Sequence, residues 1–457
     1  MFGTFAPQRR LIHQAVRMTS ASSPPGQGRG AGAVIVAQLL LRTASAAGAL
    51  VLGAYFVDLA RDGAPVGAVL LGALSGLSFL AELILAPIAG SASDRRGRRV
   101  FLIAAPLLAA AGIVITPGAS IVATAPSIVL VVVIVGTSRL LDGAGAAIAA
   151  PATLGLLADA SDDDRMRRGR VTSLYELSSS GGIALGAVAG PLLYGALGLW
   201  SFVTLAVVYV IASVLVLLFV RSPGSVPETV AAEAAAPPPM VGDRIRVLTQ
   251  PRLLAFLPAW VAVNAILGTW VTSQITFVLA GDQTDPDQLF PGAFAGNEAG
   301  LSAVLGIYVL VFSLCIVAWA FFIGKLPTVP TLFVTVFGAV LASVGLLLAN
   351  RGLPLGVAIP LVLVGVFLEA GFTPAALSHL SDISAEYRDN RGLIMGAYSV
   401  VVGAGYLLGN ILGGVFAEWR LFEGLAILTM LLAAVALISI AIMYLIEKRM
   451  TAQRAQV

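Results

Sequence analysis

Stretches of about 20 consecutive apolar residues recur along the whole length of this chain. A helix of that length crosses roughly 30 Å of hydrocarbon, and there it must satisfy its own amides because no water is present to bond them. Only 11% of the 457 residues are charged, against 58% hydrophobic. A water-soluble protein of this size needs more charge to cover its surface. The chain is therefore expected to be an all-α membrane protein. Twelve transmembrane helices can be placed, at 34–60, 67–89, 100–117, 126–157, 176–197, 201–220, 254–280, 300–323, 330–349, 354–378, 393–416 and 421–445, and are called spans 1 to 12.

Basic residues divide between the two sides of this arrangement. One side receives Arg9, Arg10, Arg17 and Arg29, then Arg95, Arg96, Arg98 and Arg99, then Arg165, Arg167, Arg168 and Arg170, then Arg221, Arg244, Arg246 and Arg252. The other side receives Arg61, Arg351 and Arg420. The positive-inside rule makes the first side cytoplasmic and puts both termini there, which requires an even number of spans. The loops also account for the sequence pI near 9.2, and no nucleic-acid partner is expected. Residues 1–33 read as a disordered cytoplasmic tail, with a transit peptide as the alternative. Residues 34–220 form one six-helix bundle, 221–253 a cytoplasmic linker, 254–446 a second bundle and 447–457 a cytoplasmic tail.

The bundles repeat each other. Displacing the chain by 223 positions lays the end of span 4 and span 5 over the end of span 10 and span 11 without a gap. Pro151 then meets Pro374, Asp159 meets Asp382, Arg168-Gly169 meets Arg391-Gly392, and Tyr175 meets Tyr398. Gly182, Gly186 and Gly190 meet Gly405, Gly409 and Gly413. Matched Leu or Ala would follow from composition alone, whereas these matches do not. Small residues every fourth position let two helices press backbone to backbone. Two pseudo-symmetric bundles imply a secondary transporter with its substrate site between them, near mid-membrane.

Between spans 2 and 3 lies GSASDRRGRRV, residues 90–100, with five charges in six positions. Gly90 lets a helix end approach its neighbour, and Gly97 permits a tight reversal. Asp94 is placed to accept hydrogen bonds from a helix N-terminus or from Arg98. The pattern Gly90-x-x-x-Asp94-Arg95-x-Gly97-Arg98-Arg99 resembles the signature loop of the major facilitator superfamily. RLLDGAGAA in span 4, with Arg139 and Gly143, resembles that superfamily's span-4 motif. GGIALGAVAGPLLYG in span 5, with Gly182, Gly186, Gly190 and Pro191, resembles the motif of its 12-span drug–proton antiporters and departs from it at Tyr194. The resemblance implies the major facilitator fold. It also implies a cytoplasmic latch, formed in the outward-facing state, in which Asp94, Arg95, Arg98 and Arg99 meet span 11 and Asp159. The second half keeps only Gly324-Lys325 of this loop, so a weaker latch is expected there.

An ionised group inside a bilayer costs a few kcal/mol, so it has a partner or a purpose. Arg42 in span 1 and Glu82 in span 2 lie at similar depth, roughly 12 Å inside by helix rise, and are a candidate pair. Arg139 and Asp142 share a face of span 4. Glu369 in span 10 has no base in its own helix. The resemblance places spans 1, 4, 7 and 10 around the cavity, where Arg42, Arg139, Asp142 and Glu369 meet. Burial favours a neutral carboxyl and a neighbouring arginine a charged one, so a change of surroundings takes up or releases a proton. Glu82 and Glu369 are the first candidates for that role and Asp142 the next, with static pairing as the alternative for each. In span 7, Trp260, Asn264, Val271 and Gln274 follow the helix period and read as one cavity wall, suited to an amphipathic, uncharged or cationic solute. Lipid or core contact is the alternative for the tryptophans.

No GxxxxGK[ST] phosphate loop and no nucleophile elbow occur, so neither ATP-driven transport nor enzymatic activity is expected. His13, His379 and Cys315 do not build a metal site, and no cofactor is expected. The expectation is a monomer in the plasma or inner membrane that exchanges protons for small organic compounds and exports them. Symport of a sugar, metabolite or organic anion is the rival within the fold, favoured by Arg42 and Arg139. A non-transporting receptor or lipid-handling scaffold is the rival outside it.

Overall fold

A computed structural model describes residues 27–121, 127–159, 165–220, 250–319, 321–323, 325–386 and 391–454. Among these residues every regular element is a helix. Eleven helical stretches are long and apolar enough to cross a bilayer. The last, Val400–Arg449, has 50 residues and lies in a helix Arg391–Arg454 of 64, interrupted by non-helical backbone at Arg420 and Leu421. Run straight, 64 residues would reach roughly 95 Å, three times the hydrocarbon thickness. The stretch turns back at the interruption and supplies spans 11 and 12, which brings the total to twelve.

The first half contains Gln27–Arg61, Ala68–Arg96, Arg98–Ile115, the short Gly118–Ile121, Ile128–Asp159, Arg165–Leu197 and Trp200–Phe219. The second contains Pro251–Trp270 and Ser273–Ala280, Glu298–Trp319, Thr328–Asn350, Leu355–Glu369 and Phe372–Glu386, then the two limbs of Arg391–Arg454. Span 5 begins at Arg165 rather than 176, because hydropathy marks where the membrane lies and not where the helix starts. Spans 7 and 10 are each broken, at Val271 and Thr272 and at Ala370 and Gly371, inside apolar runs that read as continuous.

The glycine ladder is a packing device used twice. A methyl on Gly182 would sit 2.6 Å from the Cβ of Arg42, one on Gly186 2.6 Å from the Thr43 carbonyl, and one on Gly190 2.9 Å from that of Ala47, all on span 1. In the second half Gly405, Gly409 and Gly413 lie in the same way against Asn264, Ala265 and Thr269 of span 7. Pro191 is buried within the span 5 helix, directly after the ladder. The second half has a core of its own around Phe256, Leu332, Phe372 and Met443. The core of the first half, around Phe56, Leu71 and Phe202, continues into Ile275, Phe277, Leu301 and Phe422 of the second. Leu177, Leu218, Phe321 and Ile438 are each over 60% exposed on the outside, where lipid tails take the place of water.

Candidate functional site

The halves are joined at the end opposite the termini. There Gly72 of span 2 meets the carbonyl of Asn410 in span 11, and Gly414 meets that of Ala68. Ser75 bonds Ser273, just past the break in span 7, at 3.1 Å, and Gln274 donates to the Ala68 carbonyl at 3.2 Å. Glu418, at the end of span 11, accepts from the first amides of span 2, Ala68 at 2.7 Å and Val69 at 3.4 Å. A methyl on Gly67 would sit 2.6 Å from that carboxylate, so glycine makes the room for it. Unpaired amides and the helix dipole together favour an anion there. Farther out, Arg61 donates to Asp282 of the loop 281–297 at 2.7 and 2.6 Å, and these bonds hold the Asp282 carboxyl below the usual carboxylate range. The same loop packs Phe290 and Phe294 against the shared core. Toward the terminus-bearing end, span 4 shares no packed interface with span 10 or span 11 among the described residues. The described polar contacts between the halves thus gather at the end opposite the termini.

Two groups of charge lie along the seam, near Tyr406 of span 11. Arg42 is half-buried and lies within electrostatic reach of Tyr175 of span 5, Glu82 of span 2 and Tyr406 of span 11. Glu82 faces Arg42 in return, with Asp142 also within reach. Gly182 seats the stem of Arg42 against span 5. On the other side Glu369 ends the helix Leu355–Glu369 and is 8% exposed. It has no ion-pair partner among the described residues. Tyr308 of span 8 faces it and also faces Tyr406. The break behind Glu369 is held by Trp319: its ring covers Gly371, and its Nε1 donates to the Phe367 carbonyl at 2.6 Å. That carbonyl is among those a helix end leaves without an internal partner. Tyr308 and Tyr406 were not singled out in the sequence, because a neutral aromatic with a polar tip leaves no charge or period to read.

Other expected site residues fall elsewhere. Arg139 and Asp142 do share a face, 3.4 Å apart, but their side chains are only 5% and 12% exposed. Tyr209 of span 6 donates to Asp142 at 3.1 Å, and Ser138 bonds Thr116 of span 3 at 2.7 Å. Gly112 and Gly145 bring span 3 down onto span 4, so the pair is enclosed in the first bundle and does not join Glu369 at the cavity wall. Trp260, Asn264 and Gln274 do not form one face either, since the helix is interrupted before Gln274. Trp260 is 2% exposed and stacks on Phe256 at 5.7 Å in the second core. Asn264 donates back to the Trp260 carbonyl at 2.9 Å. Gln274 belongs to the seam.

In the loop after span 2, Gly97 takes φ +90°, a backbone conformation that L side chains rarely adopt, exactly where one helix must end and the next begin one residue later. Gly90 lies near Pro151, and the Arg98 side chain lies over Gly155, both on span 4. Arg99 donates to the Leu217 carbonyl at 2.7 Å, while Arg95 and Arg96 are exposed. The side chains of Asp94 and Asp159 lie outside the described ones, as do Gly324 and residues 221–249.

The sequence matches the family model described as Major Facilitator Superfamily over residues 33–368 and 289–456. No curated protein matches it in sequence. Among solved structures, a mutant form of the nucleoside transporter NupG superposes with a TM-score of 0.69 at 15% identity, over 91% of this chain and 99% of that one. A bacterial homologue of the human lysosomal transporter Spinster, inward-facing and unoccupied, gives 0.64 at 13% identity, over 93% and 97%. A POT family transporter in complex with a thioalcohol-conjugated peptide gives 0.62 at 15% identity, over 93% and 97%. At these identities the likeness is one of fold. With the family match spanning nearly the whole chain, the chain belongs to the Major Facilitator Superfamily and is a membrane transporter of that type.

Proposed function

We propose that this transporter exchanges protons for small organic compounds, organic cations and amines first among them, and exports them. The proposal places it in the plasma or inner membrane with both termini cytoplasmic. The clustering of Arg95, Arg96, Arg98, Arg99 and Arg252 at the terminus-bearing end supports that orientation. In this reading the substrate cavity lies between the halves and opens to the cytoplasm, the state in which an exporter loads.

The observation that carries the reading is Glu369. Arg139 and Asp142 form an ion pair and Arg42 lies within electrostatic reach of Glu82, whereas Glu369 has neither an ion-pair partner nor a basic neighbour among the described residues. A cation or a proton can each supply that counter-charge, and the two compete for one carboxylate. Loading a cation from the cytoplasm displaces the proton; after the bundles rock, an external proton displaces the cation. Tyr308 and Tyr406 supply an aromatic wall against which a cation is favourably placed. Vesicles turned inside out and carrying a pre-formed pH gradient test this: adding a transported amine collapses the gradient, and Glu369→Gln abolishes the collapse. Coupling that survives in Glu369→Gln contradicts the reading. Arg42, half-buried at the cavity, favours proton symport of an organic anion as a second reading. That would show as anion uptake, driven by an inward proton gradient, that Arg42→Gln removes.

A further inference from the structure

At the terminus-bearing end of the second half, away from the seam, a cavity of about 420 Å³ opens between the starts of spans 7 and 9, the second segment of span 10 and the end of span 12. Arg252, Thr328, His379, Tyr444 and Glu447 help to line it. His379 is 4% exposed and packs edge-on against Phe256 at 5.0 Å, yet its Nε2 is buried with no hydrogen-bond partner. Folded proteins leave few buried polar atoms in that condition, and an unmet nitrogen lining a cavity points to something that occupies it. Arg252 lies within electrostatic reach of the same ring. Span 9 begins here behind Pro327 with no side-chain cap on its first amides, and span 7 begins here with Pro251. The first amides of span 9, at Thr328 and Val329, with a guanidinium and an imidazole lining the same space, match the oxygens of a phosphate group.

We propose that this cavity binds a phosphate group of low charge, carried by a phospholipid headgroup or as free phosphate. Glu447 on the wall offsets part of the positive charge and disfavours a dianion, which leaves a singly charged phosphate the better fit. Tyr444 is half exposed on the side that also shows Ile442 and Leu445 to lipid, and Lys448 and Arg449 follow it, exposed. That succession is the composition of the headgroup zone, where amphipathic rings and basic chains anchor a helix end. The proposal is independent of which solute crosses the membrane.

Native mass spectrometry of the purified full-length protein tests it, with dioleoylphosphatidylglycerol as one probe and inorganic phosphate as the other. The wild type is expected to retain one tightly held lipid, and Arg252→Gln and His379→Phe are each expected to weaken it about tenfold, the loss of one charge-assisted bond. Arg61→Gln, at the opposite end, leaves it unchanged. Lipid retained against excess inorganic phosphate identifies the headgroup as the source; displacement by phosphate identifies the free anion. The proposal is overturned if the wild type holds neither probe, or if folded Arg252→Gln binds as the wild type does. Should His379→Phe fail to fold, Arg252→Gln alone decides the outcome.

Discussion

Glu82 and Glu369 are both acids inside membrane spans, and they differ in what stands near them. Glu82 has Arg42 within electrostatic reach, without a direct ion pair, so Glu82→Gln removes an attraction on that guanidinium, and for a direct, fully buried pair the loss of one partner costs up to about 3–5 kcal/mol. Because Arg42 is only half-buried, a loss of about 1–2 kcal/mol is the better expectation. Thermal unfolding of the purified variants should show that loss, and Arg42→Gln in the same chain should restore most of it. Glu369→Gln removes a carboxyl with no cation to strand, so its unfolding temperature should hold while coupling is lost. The Arg61–Asp282 pair lies outside the membrane, and its pH window follows from the depressed Asp282 carboxyl. Its contribution is present above the ordinary carboxylate range and lost as pH falls through the lower folded value, and exposure keeps it small. Transport profiles of wild type and Arg61→Gln should therefore keep the same shape between about pH 5 and 8. At this scale the similar depth of Arg42 and Glu82 was legible, because depth along two helices follows from residue number, and the two lie within electrostatic reach without a direct ion pair. The enclosure of Arg139 and Asp142 was not, because the glycines that close span 3 over them act between helices.

Helix by helix, spans 2 and 11 run antiparallel at the seam, and one of their ends is already tied: Glu418, ending span 11, caps the start of span 2. Glu418→Gln keeps the shape and removes the charge, which weakens the cap by about 1 kcal/mol. A cysteine placed in the seam near Ser75 should then react faster with an impermeant thiol reagent from the outside. An unchanged rate would show that the cap does not hold the seam. In the ladder, Gly186→Val and Gly409→Val each drive a side chain into the facing backbone of span 1 or span 7. Overpacking of that kind costs about 1–3 kcal/mol, measurable as a fall in unfolding temperature. The spans and the ladder could be read from sequence because bilayer thickness and backbone contact impose their own spacings. The breaks in spans 7 and 10 could not, since Thr272 and Gly371 are ordinary in a membrane helix and Trp319, which holds one break, is distant in the chain.

At the scale of the molecule, the twelve spans among the described residues put Gln27 and Arg454 on one side, and the core shared by the two halves lies toward the opposite side. Two halves joined in this way can expose the central acids to the other side only by parting where Glu418, Ser75 and Arg61 now hold them, while the terminus-bearing ends come together. The motion is thus expected to be reciprocal, one end closing as the other opens. Spin-label distances on a Cys315→Ser background measure it directly, using Arg96→Cys with Lys325→Cys at the terminus-bearing end and Trp200→Cys with Leu355→Cys at the other. On moving from neutral to acidic pH, or on adding a transported amine, the first distance should shorten as the second lengthens. Two distances that stay fixed under every condition that supports transport, or that change in the same direction, would contradict the account.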